Sequence, residues 1–242
     1  MSRSGKGGPF PGWVLVLLTL VPAVVHAQQD PRSDPQVFAI DRLEPRAFLM
    51  PESGPAEEPA RISLNGRWRF SWSPDEGNAV TGFAEPDFDD SAWDEINVPG
   101  NVELAGYGVV RYADSGIPSG PPGFIDPSDD AVSTYRRTFD VPAEWSTQRI
   151  VLHFGSVGSA VSVWLNGVEV GYSEGSKVPT EFDVSELVRS SANVLAVRVW
   201  RWSDGSYLED VDQLRMSGID RDVLLIATPQ VWLQDLFVQS GV

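Results

Sequence analysis

The residues of this chain best suited to chemistry lie in one stretch, Arg201–Val223, reading RWSDGSYLEDVDQLRMSGIDRDV. Asp204, Glu209, Asp210 and Asp212 crowd against Trp202 and Tyr207, and Arg215, Arg221 and a Ser-Gly pair close the stretch. An apolar core does not need this mixture, and a flexible linker would not carry it. The side chains suit a polar binding loop, with carboxylates able to accept hydrogen bonds or hold a cation. Their spacing is not that of an EF-hand calcium loop. Glu209, Asp210 and Asp212 are expected to pair with Arg215 and Arg221, which would keep half-buried carboxylates charged.

Other chemistry is scarce. The chain has no cysteine, which removes thiolate nucleophiles and thiolate metal sites. Of its two histidines, His26 lies in an apolar leader and His153 alternates with Val151 in RIVLHFGSV. That alternation reads as a residue on a strand face rather than a triad base. The formal net charge is -16, and -18 once Arg3 and Lys6 are set aside. Such a surface repels nucleic acid and anionic membrane, so neither is expected as a partner.

The elements that must hold this loop begin after a leader. Arg3 and Lys6 form a basic region, Trp13–Val25 an apolar run, and Val25-His26-Ala27 a small-residue cleavage site. Residues 1–27 therefore read as a signal peptide cleaved near Ala27, placing the protein in the periplasm or outside the cell. Residues 28–60, rich in Pro, Glu, Asp and Ser, read as an extended arm. From Ile62 the texture becomes β-like, with Trp68, Phe70 and Trp72 alternating with polar residues. Gly106–Asp130 forms a long Gly/Pro-rich loop.

Strands are predicted at Tyr135–Val141, Arg149–Phe154, Val194–Trp202, Asp222–Ala227 and Val231–Val238. A hairpin is centred on Asn166-Gly167, where both turn residues need positive φ. The one helical hint is a turn capped by Asp183. The 42% hydrophobic content supplies a core without disulfides. Together these patterns predict an all-β fold. It is an antiparallel β-sandwich of jelly-roll, galactose-binding-like type over residues 61–242, with an up-and-down barrel as the alternative. Trp68, Trp72, Trp164 and Trp200 are assigned to its core. The chain stops directly after its last predicted strand, which suggests a fragment.

Several strings carry a specific resemblance. SLNGRWRFSW (Ser63–Trp72), VPGN (Val98–Asn101), WLNGVEVGYSEGSKVPTEFDVSELV (Trp164–Val188) and RWSDGSYLEDVDQLRMSGI (Arg201–Ile219) occur in the order found in the large bacterial β-galactosidases of glycoside hydrolase family 2. DPQVFAIDRLEPRAFLMP, upstream, resembles their N-terminal arm. The resemblance implies the non-catalytic first domain of an enzyme that hydrolyses terminal β-galactosides with two glutamates on a TIM barrel. A barrel takes about 250 residues, and none of its catalytic motifs occurs here.

By the same resemblance, Asp204 contacts the galactose and shares a sodium ion with the barrel, and magnesium belongs to the parent enzyme. A second sugar contact falls at Asp114, where the family carries an asparagine. This change replaces an amide that donates and accepts by an acceptor-only carboxylate. Val102 and Asp220 are further departures from aromatic positions. Trp202 and Tyr207 read as core or as a platform for the sugar ring. Two other readings stand beside this one. They are a stand-alone carbohydrate-binding module and a structural or complementing subunit that assembles, as a homo-oligomer, through its arm.

Overall fold

The computed structural model describes residues 30–46, 61–112, 125–126, 129–209, 212–235 and 237–241. The leader, residues 47–60 of the arm, Asp114 and Asp210 lie outside the described residues. In chain order the strands are β1 (Ala39–Ile40), β2 (Arg61–Ser63), β3 (Gly66–Ser73), β4 (Asp94–Val98), β5 (Arg111–Tyr112), β6 (Val132–Phe139) and β7 (Arg149–Phe154). They continue as β8 (Ala160–Leu165), β9 (Val168–Glu174), β10 (Thr180–Asp183), β11 (Asn193–Trp200), β12 (Leu214–Arg215) and β13 (Val223–Thr228).

A seven-stranded sheet runs β1-β9-β8-β11-β6-β3-β4, and a four-stranded sheet runs β10-β7-β13-β2. All pairings are antiparallel. Neither sheet closes on itself, so the architecture is a β-sandwich and not a barrel. Period-two alternation explains which side chains meet between the sheets. Trp68 and Phe70 of β3, Tyr135 of β6, and Leu195 and Val197 of β11 face Leu152 and Phe154 of β7, Phe182 of β10 and Leu225 of β13. Fully burying side chains of this size contributes roughly 1.5–3 kcal/mol each, which fits a chain with no disulfide.

The larger sheet is covered on its outer face too. Arg136 and Arg198, out of phase with the core residues, point away from it, where a guanidinium needs acceptors. The segment 74–93 supplies them. Arg136 Nε bonds Asp90 at 2.8 Å and its NH1 donates to the Glu85 carbonyl at 3.0 Å. Arg198 lies over the Phe83 ring at 4.4 Å, and Phe83 meets Trp164 edge-on at 5.1 Å. Trp68 and Trp200 are buried, whereas Trp72 and Trp164 are partly covered at the margins.

Asn166 and Gly167 take φ of 55° and 86° between β8 and β9, the tight hairpin expected of Asn-Gly. Asp183 caps the one short turn expected after it, residues 185–187. Its carboxylate accepts from the Ser185 amide and hydroxyl, and a single turn follows. Residues 231–235 and 237–241 form no strand and leave Val231, Leu233, Phe237 and Val238 exposed, correcting the strand predicted there. Alternation makes a segment fit to be a strand, but a strand also needs a neighbour to bond.

Residues 30–46 run from Asp130 and Trp200 of β11 past the β9 edge of the larger sheet to Glu181 of β10. Arg32, buried, bonds both Asp130 oxygens at 2.9 and 2.7 Å, pairs with Asp30 at 2.6 Å and stacks on Trp200 at 4.9 Å. β1 then pairs with β9, placing Ile40 opposite Tyr172. That approach requires Gly171, since a Cβ there would lie 2.4 Å from the Ile40 carbonyl oxygen. Gly171→Ala is expected to unzip β1 and also to press on the core, because the new Cβ would stand 2.8 Å from the Phe182 ring. Hydrogen exchange should show the Glu174 amide, bonded to the Phe38 carbonyl, losing protection first, with a smaller loss at core amides.

Candidate functional site

The 201–223 loop follows β11, and three local devices shape it. Arg201 reaches back to the Val109 carbonyl at 2.8 Å. Ser203 and Ser206 cap one another around a 3-10 turn at Asp204–Tyr207, with the Ser203 amide donating to the Ser206 hydroxyl at 3.1 Å. The Ser-Gly pair closes the loop. Ser217 donates from its amide and its hydroxyl to the buried Glu103 carboxylate, both at 2.8 Å. Gly218 exchanges backbone bonds with Gly158 at φ 118°, where a Cβ would stand 2.8 Å from the Gly100 oxygen. The arginine, serines and glycine of RWSDGS and RMSGI thus hold the loop in place.

The carboxylates separate into two environments. Asp204 turns inward, with one carboxylate oxygen buried and without a hydrogen-bond partner. Its neighbour is Glu174 at the end of β9, a residue the sequence did not single out. Glu174 accepts from the Tyr172 hydroxyl at 2.5 Å and from the Gly205 amide at 3.1 Å. Tyr172 and Glu174 are two apart on one strand, which was the available signal that they share a face. Burial, reinforced by the Asp204 charge, pushes the Glu174 carboxyl up to about 7 against the hydrogen bond from Tyr172. Burial likewise raises Asp204, and Asp34 of the arm adds a further repulsive charge.

Asp212 is exposed and accepts from the Tyr112 hydroxyl. That bond and the β5–β12 pairing bring it beside the chain that leads to Asp114. Asp204 and Asp212 thus have different partners, and Asp114 lies outside the described residues.

Of the carboxylates expected to pair with Arg215 and Arg221, Asp210 lies outside the described residues, and Glu209 and Asp212 bond other groups as well. Glu209 accepts from the Ser176 amide and hydroxyl at 2.6 and 2.5 Å, and Arg215 donates to the Glu209 backbone carbonyl at 2.6 Å. Arg221 reaches the Lys177 carbonyl at 3.5 Å, and Lys177 pairs with Asp220 at 2.7 Å. A short side chain bonded to a rigid backbone amide loses less freedom than two long charged chains brought together. Trp202 is buried, and Tyr207 is partly buried against the core. His153, on β7, bonds Glu181 at 2.9 Å, and Glu181 also holds Arg46 of the arm at 2.9 Å.

The Asp204–Glu174 pair has the donor chemistry for a sodium or magnesium ion. Two neighbouring carboxylates repel, and one oxygen is orphaned. Hard cations of this kind are bound through oxygen ligands. Among the described residues no group of three or more acidic, histidine or cysteine side chains is arranged for a metal, so any further ligands would be backbone carbonyls or water.

Comparison with known proteins agrees with this architecture. Residues 62–229 match the family described as glycosyl hydrolases family 2, sugar binding domain. A β-galactosidase of Priestia megaterium is 38% identical over 222 residues, covering 86% of this chain and 22% of that protein. One from Vibrio vulnificus is 44% identical over 182 residues, covering 74% and 17%. The crystal structure of Bacteroides uniformis β-glucuronidase shares the fold, with a TM-score of 0.54 and 24% identity over 70% of this chain and 18% of that one. The chain spans about a fifth of the length of the first two relatives. With a sandwich and a family match over most of its length, the chain belongs to the sugar-binding domains of glycoside hydrolase family 2.

Proposed function

We propose that this chain acts as the N-terminal, non-catalytic domain of an exported β-galactosidase, forming one wall of the galactoside pocket. Its sandwich is read as a jelly roll. The observation that carries this reading is the division of its carboxylates. Glu103, Glu174 and Glu209 are engaged by serines, a tyrosine and backbone amides of the chain itself, and Asp204 is turned inward. Retaining glycosidases need two carboxyls about 5–5.5 Å apart across the scissile bond, whereas these glutamates serve the chain's own folding bonds. Asp204 and Asp114 are the residues that the resemblance sets against the galactose. A cation at Asp204 would also relieve its repulsion with Glu174.

The parent enzyme would hydrolyse terminal β-galactosides, a reading supported by relatives named β-galactosidase at 38 and 44% identity. A leader ending near Ala27 would carry it to the periplasm or outside. The purified chain is expected to give no turnover of a chromogenic β-galactoside and no calorimetric heat with galactose. Turnover that survives Asp204→Ala would overturn the non-catalytic assignment. Clear galactose binding by the chain alone would make it a self-sufficient module instead.

A further inference from the structure

Asp204 is placed by its backbone more than by bonds to its carboxylate, one oxygen of which is buried and takes no hydrogen bond. The residue opens the 3-10 turn at Asp204–Tyr207, and the first amides of a helical turn have no carbonyl of that turn to reach. The Ser203 amide is taken by the Ser206 hydroxyl at 3.1 Å, and the Ser206 amide by the Ser203 carbonyl at 3.0 Å. The Gly205 amide goes to the Glu174 carboxylate at 3.1 Å. A peptide unit is planar, so fixing the Gly205 N–H also fixes the Asp204 carbonyl, and with it the backbone from which Asp204 projects.

Glu174 is itself held rigidly. It is buried at the end of β9, and its other carboxylate oxygen accepts from the Tyr172 hydroxyl at 2.5 Å. Its amide donates to the Phe38 carbonyl at 2.9 Å, and its carbonyl accepts from Arg42 at 3.4 Å. The carboxylate also sets what can follow Asp204. A Cβ on Gly205 would lie 2.6 Å from Glu174 Oε2, with the Ser203 hydroxyl oxygen next at 3.4 Å. The glycine of RWSDG is thus required by a side chain from another strand, which approaches where a Cβ would stand.

We propose that Glu174, braced by Tyr172, is a positioning residue for the substrate, fixing through the Gly205 amide the turn that aims Asp204 at the galactoside. The proposal rests on the reading of Asp204 as a sugar contact, and adds what holds it there. A second buried carboxylate beside Asp204 costs stability, because like charges repel where water is excluded. An apolar side chain would serve the fold alone better. The bond to Gly205 is what the carboxylate supplies in return.

The test grafts this chain in place of the matched segment of the Priestia megaterium β-galactosidase. KM and kcat for a chromogenic β-galactoside are measured at low and at saturating sodium, with Asp204→Ala as the reference. Glu174→Ala should raise KM about fivefold or more at both, roughly the worth of one hydrogen bond to the sugar, with kcat nearly unchanged. Glu174→Gln should recover most of that loss, since its amide oxygen accepts from Gly205 and its NH2 donates to the Tyr172 oxygen. Gly205→Ala should act as Glu174→Ala does, because the new Cβ displaces the carboxylate, and the two together should cost little more than either alone. In the ungrafted chain, the Gly205 amide should exchange faster in Glu174→Ala and keep most of its protection in Glu174→Gln.

If Asp204→Ala raises KM, an unchanged KM in Glu174→Ala, or fully additive losses in the double variant, would overturn the positioning role and leave the pocket reading intact. A loss confined to low sodium would make Glu174 a cation ligand, and a Glu174→Gln variant no better than Glu174→Ala would assign the effect to charge; either overturns the proposal. So would a Gly205 amide whose protection Glu174→Ala leaves unchanged, whatever the graft does. An unchanged KM in Asp204→Ala, or a graft that unfolds as one body yet hydrolyses no β-galactoside, would sink the pocket reading and this inference with it.

Discussion

Arg32→Met is expected to lower stability by about 3–5 kcal/mol, the cost of removing one member of a buried ion pair. The methionine keeps the apolar stem but abandons Asp130, whose carboxylate is 6% exposed and is pushed upward by burial even with Arg32 beside it. It also ends the stacking on Trp200 and frees Asp30. Since Arg32 sits at the start of the arm, trypsin should cut faster at Arg42 and Arg46. Urea unfolding gives the stability loss, and mass spectrometry of early fragments gives the sites. Replacing Asp130 by leucine in the same molecule should restore part of the loss, because the cost comes chiefly from an uncompensated charge. A loss under about 1 kcal/mol would mean that water reaches Asp130 and the arm is only loosely seated.

The second large effect is on pH dependence. The folded-state pKa of Glu174 is raised, to about 7 from an ordinary 4.5. The native state therefore binds more protons than the unfolded chain between those values, and its stability must fall as pH rises through that window. The contribution is fully present below about pH 4.5 and lost above about pH 7, and amounts to on the order of 1–3 kcal/mol. Glu181 works in the opposite sense. Burial raises it, but the bonds from His153 and Arg46 prevail and hold it below its ordinary range, so its contribution fades in acid. Glu174→Gln removes the neutral-range slope, because an amide fills the same space with nothing to titrate. Unfolding free energies measured across this range, in chelated and sodium-free buffer, should fall for the native chain and stay flat for the variant. Equal slopes would assign the proton to another group.

Both effects concern contacts that only partly showed in the chain's text. The sandwich was legible because alternation at Trp68 and Phe70, the Asn166-Gly167 turn and the β-rich runs from Tyr135 to Ala227 are local signals, each matched by a neighbour in the sheets. The run from Val231 to Val238 carried the same signal without a neighbour, and it is no strand. The loop's membership was legible too, since its serines, Gly218 and Arg201 serve as the devices that fold it. Its orientation was not. Which carboxylates face inward depends on a 3-10 turn capped by Ser203 and on Glu174, contributed from thirty residues upstream. Nothing local in RWSDG shows that Asp204 meets Glu174, or that Tyr112 reaches across to Asp212. Arg32 is the clearest case. It stands in a polar, Pro-bounded stretch that looks solvated, yet its partner Asp130 lies almost a hundred residues away.

The central claim is that this domain presents one wall of a galactoside pocket without supplying its catalysts. The most direct test is the KM for a chromogenic β-galactoside of the chain grafted onto the Priestia megaterium enzyme, with and without the Asp204 carboxylate. Asp204→Ala should raise KM at least tenfold, the loss of roughly 1.4 kcal/mol or more of hydrogen bonding to the sugar, while the graft still unfolds in one transition. An unchanged KM in an active, singly unfolding graft would contradict the account, because the loop of this domain would then have no part in holding the substrate.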